Sequence, residues 1–369
     1  MPPPAAKPLS KLTLAFDERL AADGRKSPHE GLSAVLQVGD SLWVADDESA
    51  ALERLTLNGG GGAGSHARFP LIDYVDLPCG AEGDPPEVPE VDIEGLDADG
   101  GYLWVAGSHS VKRSKPPRGA DAREGHKALR QLSVDDNRYL LARIPLSDDG
   151  TELRRQGAAR LPGSGNGRKR GTELARLLRQ DRHLSAYLDI PGKENGLDVE
   201  GLAVQGERVF LGLRGPVLRG WATILEIRVQ ADRQGALRLA ALEGKRRARL
   251  RKHFLDLDGR GLRDIHRDGD DLLLLAGPTM DVDGLETVFR WRDAMKVGEP
   301  SLVRRGQLQE LLRLPSGIGC NRAEGISVFT PPGAKGGGRQ LLVVYDAAGP
   351  DRCPGGSRLV ADVFPLPPR

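Results

Sequence analysis

Four glutamates recur in one phrase of this chain, and their chemistry frames what it could do. Glu30, Glu94, Glu200 and Glu324 each precede a glycine and then a leucine or isoleucine, with an apolar strand a few residues on. Glu30-Gly31-Leu32 leads to Leu42-Trp43-Val44, and Glu94-Gly95-Leu96 to Leu103-Trp104-Val105. Glu200-Gly201-Leu202 leads to Val209-Phe210-Leu211, and Glu324-Gly325-Ile326 to Leu341-Leu342-Val343-Val344. A fifth copy, Arg263-Asp264-Ile265, keeps the pattern and lacks the glutamate. Carboxylates brought together must take up protons or share a cation. Oxygen ligands on a wide, rigid frame suit a hard ion, with Ca²⁺ ahead of Mg²⁺, which demands tight octahedral geometry. On this reading Glu30, Glu94, Glu200 and Glu324 are metal ligands, with Asp264 as a candidate fifth. The competing reading makes each glutamate a staple that accepts hydrogen bonds from the amides of the neighbouring repeat. Arg263 favours a site, because a staple would be wanted in every repeat whereas coordination can spare one.

The catalytic candidates are His29, His109, Asp46, Arg214 and Arg322. His29 and His109 are of the type that works as general acid, base or metal ligand. No nucleophile motif adjoins them, so a hydrogen-bonded structural role is the leading expectation. Asp46 and Arg214 end second strands of their repeats, and Arg322 lies two residues before Glu324. Arginines turned inward there, with Lys112-Arg113, would recognise phosphate or carboxylate groups. The sequence holds no Gly-x-Ser-x-Gly elbow, no His-Glu-x-x-His and no paired-cysteine zinc pattern. The runs Gly59–Gly64 and Gly336–Gly338 lack the Lys-Ser/Thr of a phosphate loop.

The elements that position these residues follow from the repeat. The Glu-Gly spacings are 64 (30 to 94), 106 (94 to 200), 63 (200 to 263) and 61 (263 to 324). Short strands at a period of about 60 residues predict an all-β propeller of four-stranded blades. The first repeat reads as strands at 31–38, 41–45, 52–57 and 69–77. The long interval carries two insertions, 111–132 and 163–190. The first is a basic loop, Lys112 to Arg130. The second is a helix over Thr172 to Leu188, with Thr172 as N-cap and a leucine face. Five blades result. The last, Glu324–Phe329, Gln340–Tyr345 and Arg358–Phe364, supplies three strands, so the opening strand Lys11–Phe16 is predicted to complete it and remove two exposed edges. Six blades is the alternative count. Strand alternation then sends the glutamates and both insertions to one mouth of the central channel, where functional loops gather. Residues 1–9 read as a disordered tail and 10–369 as one domain.

Composition excludes several classes. The 53 basic and 52 acidic residues leave a net charge of +1, so no bulk field points to nucleic acid or an anionic membrane. The densest basic run, Lys245 to Lys252, lacks interleaved aromatics and reads as a solvated outer edge. Three cysteines, Cys79, Cys320 and Cys353, give no disulfide framework. No apolar stretch reaches the roughly 18 residues of a membrane helix, and the Pro/Ala-rich N-terminus has no signal-peptide core. A cytoplasmic location is expected.

The phrases His29-Glu30-Gly31-Leu32, Asp92-Ile93-Glu94-Gly95-Leu96, Asp198-Val199-Glu200-Gly201-Leu202 and Arg322-Ala323-Glu324-Gly325 resemble a bacterial family of unknown function, domain 3616, over about residues 11 to 365. That resemblance implies a propeller-like fold and no established activity. Glu30-Gly31-Leu32-Ser33 with Trp43-Val44-Ala45-Asp46-Asp47 is more loosely similar to the first blade of calcium-dependent apyrases. Glu200-Gly201-Leu202-Ala203 is similar to phytase-like and esterase-like propellers. These likenesses imply channel ligands at Glu30, Glu94, Glu200 and Glu324. The expectation is a divalent cation with a small anionic or polar ligand at the mouth, extending to hydrolysis of a phosphoester or ester. The alternative is a non-enzymatic scaffold that holds a protein partner.

Overall fold

The structure, a computed structural model, describes residues 5–20, 30–80, 88–163, 171–244, 248–315, 317–333 and 339–369. Strand β1 (Ser10–Ala15) precedes β2 (Ala34–Val38), β3 (Ser41–Ala45), β4 (Ala51–Asn58) and β5 (Gly62–Pro70). Next come β6 (Ile93–Asp99) and β7 (Tyr102–Gly107), then an insertion of β8 (Lys112–Arg113), α1 (Ala122–Arg130) and β9 (Leu132–Ser133). Strands β10 (Leu141–Pro145) and β11 (Ala159–Arg160) follow, with helix α2 (Glu173–Leu178) behind them. The third group is β12 (Asp198–Gln205), β13 (Arg208–Leu218), β14 (Trp221–Ala231), β15 (Leu237–Ala240) and β16 (Arg251–Asp256). The chain continues through β17 (Gly261–Asp268), β18 (Asp271–Gly277), β19 (Thr287–Trp291), β20 (Ser301–Val303) and β21 (Leu308–Arg313). It finishes on β22 (Arg322–Phe329), β23 (Gln340–Asp346) and β24 (Arg358–Pro365).

Antiparallel sheets run β6-β7-β10-β11, β12-β13-β14-β16 and β17-β18-β19-β21, with β20 added in parallel to β16. The terminal strands share an eight-stranded sheet, β2-β3-β4-β5-β1-β24-β23-β22. There β1 pairs antiparallel with β24 from Ser10↔Val363 to Ala15↔Arg358, and parallel with β5 at Thr13↔Gly62. The opening strand therefore joins the last group, as the sequence requires. Strands β2, β6, β12, β17 and β22 open their groups, and each packs on the next, with β22 returning to β2. Apolar layers fill the spaces between neighbouring groups. One holds Trp43, Phe69, Leu103 and Val105, another Phe210, Ile224, Leu274 and Phe289. Each such side chain removed from water contributes about 1.5–3 kcal/mol. The architecture is all-β and propeller-like.

Close packing of the opening strands explains the glycine of the repeat. A Cβ on Gly201 would lie 2.5 Å from the Ile265 amide nitrogen, and one on Gly95 would lie 2.6 Å from Leu202 Cβ. No side chain fits between strands that near, so glycine is needed for space.

Several expected boundaries move. The fourth strand of the first repeat is β5, not 69–77, because the chain turns back within Gly59–Gly61 and pairs at once, Asn58↔Gly62. Leu71–Asp73 is a 3₁₀ turn. Thr172 does cap α2, its Oγ1 accepting from the Ala175 amide at 3.4 Å. The helix stops at Leu178, and Asp181 then accepts from His183 N and Leu184 N, which draws the chain into a turn. Leu174, Leu178, Leu184 and Leu188 are nonetheless buried as that face predicts. The basic loop contains a helix, α1, capped by Asp121. Of the expected N-terminal tail, residues 1–4 lie outside the described residues, while Ala6 N donates to Arg313 O and Leu9 N to Val363 O, both at 2.8 Å. Lys245–Arg247 and Gly336–Gly338 also lie outside them. The rest of the basic run is engaged in ion pairs, Arg249 with Glu173, Arg251 with Glu226 and Lys252 with Asp181. Among the described residues no helix is long and apolar enough to cross a membrane.

Candidate functional site

The strand register shows how the repeat aims its charged residue. In β6, Ile93 pairs with Gly107 and Gly95 with Ala106, leaving Glu94 as an extra residue. The same slip leaves out Glu200 in β12, Arg263 in β17 and Glu324 in β22. Each is a β-bulge, which bends the strand and re-aims one side chain. The first repeat differs. Ala34 pairs with Ala45 as Gly95 does with Ala106, so Ser33, not Glu30, stands at the ring position. The Glu30-Gly31-Leu32 phrase is three residues out of register. Ser33 is buried and donates to Ile93 O at 2.5 Å, whereas Glu30 is exposed. The ring positions thus carry Ser33, Glu94, Glu200, Arg263 and Glu324.

Arginines compensate most of these charges. Arg263 places Nε 3.2 Å from Glu200 Oε2 and contacts Glu324 Oε1 with Nη2. Arg214 lies 2.6 Å from Glu200 Oε1 and also contacts Asp198. Arg138 reaches Asp92 and Glu90 at 3.0 Å and donates to Ser110 Oγ at 2.8 Å. Glu94 is the exception. It is 8% exposed and makes no hydrogen bond or ion pair to a described residue. Burial, reinforced by Asp92 and Glu200, pushes its carboxyl well above the usual range. Burial likewise pushes Asp92 up to about 7, against the pull of Arg138. The buried floor holds five carboxyls (Asp92, Glu94, Asp198, Glu200, Glu324) and three guanidiniums (Arg138, Arg214, Arg263). If all are ionised, two positive charges are missing.

Above this floor lies a cavity of about 890 Å³, within the size range of small-molecule sites. Among its described lining residues are twelve carboxyl and six basic side chains, so it favours cations. Its walls come from the first insertion, the segment 191–194 and the ends of second strands, including Asp47, Ser110, Arg214 and Asp346. The second insertion, 163–190, supplies none of the described lining residues, because its leucines are buried against Trp104, Leu141 and Leu211 instead of reaching the mouth. Ion pairs fence the rim: Arg113 with Glu194 and Lys115 with Asp281 at 3.3 Å.

The remaining candidates scatter. Asp264 turns away from the cavity, its carboxylate accepting from Ile326 N at 2.8 Å and Ile265 N at 2.7 Å. Asp97 does the same for Val204 N at 2.6 Å, His266 for Val328 N at 3.2 Å and Ser327 for Gln37 N at 3.2 Å. The staples between repeats therefore exist, and they are these residues, not the glutamates. His109 is buried beside Tyr139, its Nδ1 bonded to Gly107 O at 2.9 Å, and burial pushes it down to about 4. Asp46 is buried beneath the mouth, raised by burial to about 6, and accepts from Glu48 N at 3.0 Å. Arg214 lines the cavity; Arg322 lines a small annex beside it and pairs with Asp281. His29 lies outside the described residues. Among the described residues no group of three or more Asp, Glu, His or Cys side chains is placed to hold a metal ion. Asp92, Asp198 and Arg138 are cavity-lining residues that spacing alone did not single out. The repeated Asp-x-Glu of 92–94 and 198–200 signals the first two; nothing local marks Arg138.

A propeller-like β fold with an acidic, arginine-laced mouth is thus the class to which this chain conforms. It belongs to the family described as "Protein of unknown function (DUF3616)", which matches residues 31–362. Comparison with curated protein sequences finds no match. Among solved structures it is similar to a Myxococcus xanthus glutaminyl cyclase at 10% identity and TM-score 0.39, over 98% of this chain and 100% of that one. It is also similar to the tail fiber of Staphylococcus aureus phage P68, at 14% identity and TM-score 0.34, over 93% of this chain. Kuenenia stuttgartiensis hydrazine synthase matches at 10% identity and TM-score 0.32, over 87% of this chain. The chain spans 51% and 57% of the lengths of these last two.

Proposed function

We propose that this chain is a five-bladed propeller that captures a cation-bearing ligand in the cavity over its ring of bulged residues. The blade count is supported by the cyclic packing of β2, β6, β12, β17 and β22 and by completion of the last group through β1. The observation that carries the ligand reading is Glu94, a buried carboxyl without a partner among the described residues, on the floor of a large acidic cavity. Burying such a group unpaired is costly, and a bound cation removes the cost. The cation is either a hard divalent ion, Ca²⁺ ahead of Mg²⁺, or an ammonium group. If the ligand also carries a small anionic or polar portion, the rim cations Lys112 and Lys115 would meet it. Melting the protein with Ca²⁺, Mg²⁺, a chelator and simple ammonium salts tests this. At least one cation should raise the melting temperature of wild type and not of Glu94→Gln. A flat response to all of them refutes the reading.

Hydrolysis of a phosphoester or ester is the reactive extension of this site. Asp92, raised to about 7, can hold or release a proton near neutrality, as general acid–base catalysis requires. A phosphatase and esterase panel on wild type and Asp92→Asn tests it. Turnover that survives Asp92→Asn does not arise at this mouth.

A further inference from the structure

The charge on the floor and the shape above it narrow the ligand. This inference rests on the cation reading of the cavity and specifies which cation. A divalent metal needs several oxygens converging on one point, commonly six to eight for Ca²⁺. The floor carboxyls do not converge in that way: Glu200, Glu324 and Asp198 are turned to Arg214 and Arg263, and Asp92 to Arg138. An ammonium group needs far less, since one carboxylate and a few neighbouring acceptors satisfy its three N–H donors. Glu94 supplies that carboxylate, nine-tenths buried and unpartnered among the described residues. Ser110 and Asp198 line the same space.

Volume gives the second constraint. About 890 Å³ greatly exceeds an ion or a methylammonium, so the cavity has room for the rest of a molecule. Its wall includes Val111, Pro116, Leu129 and Pro191, apolar surface suited to methylene groups. Further carboxylates stand towards the rim, with Glu48 and Asp135 exposed or partly exposed there. With every floor carboxyl ionised the shortfall would be two charges, and the acids continue outward from the floor.

We propose that the cavity binds an aliphatic diamine or polyamine, one ammonium seated on Glu94, the alkyl chain along the insertion wall and a second ammonium among the rim carboxylates. Binding involves no covalent step. The geometry predicts that affinity depends on two amines held apart by methylenes, because each end meets separate carboxylates.

Titration calorimetry at about 150 mM salt, where non-specific surface attraction is screened within roughly 8 Å, tests this with 1,4-diaminobutane, a triamine, butylamine, Ca²⁺ and Mg²⁺. The diamine or triamine should bind at least tenfold more tightly than butylamine. Glu94→Gln should weaken it tenfold or more, and Glu207→Gln, on an exposed turn remote from the cavity, should not. Asp92→Asn serves as the second floor variant, and a melting curve on each variant verifies folding. If Ca²⁺ binds through Glu94 and no amine does, the diamine inference falls while the cation reading stands. If neither class binds, both fall. Equal diamine affinity in wild type, Glu94→Gln and Asp92→Asn places the binding elsewhere and overturns the inference. Butylamine binding as tightly as the diamine removes the two-ended ligand.

Discussion

Arg263 stands where the repeat elsewhere supplies a glutamate, and its replacement by glutamine is the sharpest test of how the ring is held. The side chain is 6% exposed and bridges Glu200 and Glu324. At the 3.2 Å separation from Glu200, an effective dielectric of 20 gives an attraction of about 5 kcal/mol. Removing one member of a buried pair typically costs about 3–5 kcal/mol, because the remaining charge is stranded. With an unfolding entropy of about 2.1 cal/mol/K per residue, a chain of 369 residues loses about 5 °C of melting temperature for 4 kcal/mol. The pH dependence identifies the cause. Burial raises the carboxyl of Glu200, and in Arg263→Gln it loses one of the charges that pull it back down, so its folded pKa rises further above the unfolded value. A raised carboxyl destabilises where it would otherwise ionise, and the deficit shrinks as pH falls through the folded pKa. Differential scanning calorimetry should therefore show a large deficit at pH 8 and a small one at pH 5. The double variant Arg263→Gln/Glu324→Gln should recover 1–3 kcal/mol relative to additivity, about what contacting residues show. An Arg263→Gln protein that melts with wild type at pH 8, or whose deficit is the same at pH 5, refutes the counter-ion role.

Other outcomes follow from neighbouring residues. Because burial raises Asp92 to about 7 and Glu94 well above its ordinary value, the folded protein binds more protons than the unfolded one. Wild-type stability should thus fall between about pH 4 and pH 7, and Asp92→Asn or Glu94→Gln should flatten that slope in urea titrations. Asp264→Asn replaces an oxygen that accepts from an amide with an NH₂ group, and should cost about 1–3 kcal/mol in urea unfolding while leaving cation binding intact. Gly201→Ala forces a Cβ to within 2.5 Å of Ile265 N, and should cost about 1–3 kcal/mol or more by the same measurement.

The repeat was legible because its period is fixed by architecture: each copy must bury the same apolar strand against the next. Trp43 and Trp104 mark equivalent places, and the strands containing them align in register. The first glutamate misled because Glu30-Gly31-Leu32 has the right composition at the wrong phase. Only pairing of Ala34 with Ala45 distinguishes Ser33 as the ring residue, and a shift of that kind leaves no trace in residue types. Stapling between repeats does occur, at positions other than the glutamates. Amides of neighbouring strands are met by Asp97, Asp264, His266 and Ser327, whose variety of type hides a shared task. Arg138 was invisible, since it approaches Asp92 from outside the repeat phrase, 46 residues on in the chain (138 less 92). Arg263 was seen as a gap, whereas it fills one.

The pairing of β1 with β24 has a consequence for biogenesis. Ser10 meets Val363, so β1, made early, waits for β24 before this ladder forms. At about 5–20 residues per second, the intervening 353 residues (363 less 10) occupy roughly 20–70 s of synthesis. Throughout that interval a strand reading Ser10-Lys11-Leu12-Thr13-Leu14-Ala15 lacks its principal partner. Its lysine and the prolines just upstream are the features that discourage a nascent edge from pairing with another chain. Ring closure therefore comes late: a ribosome stalled before residue 358 holds an open molecule, however complete its other sheets.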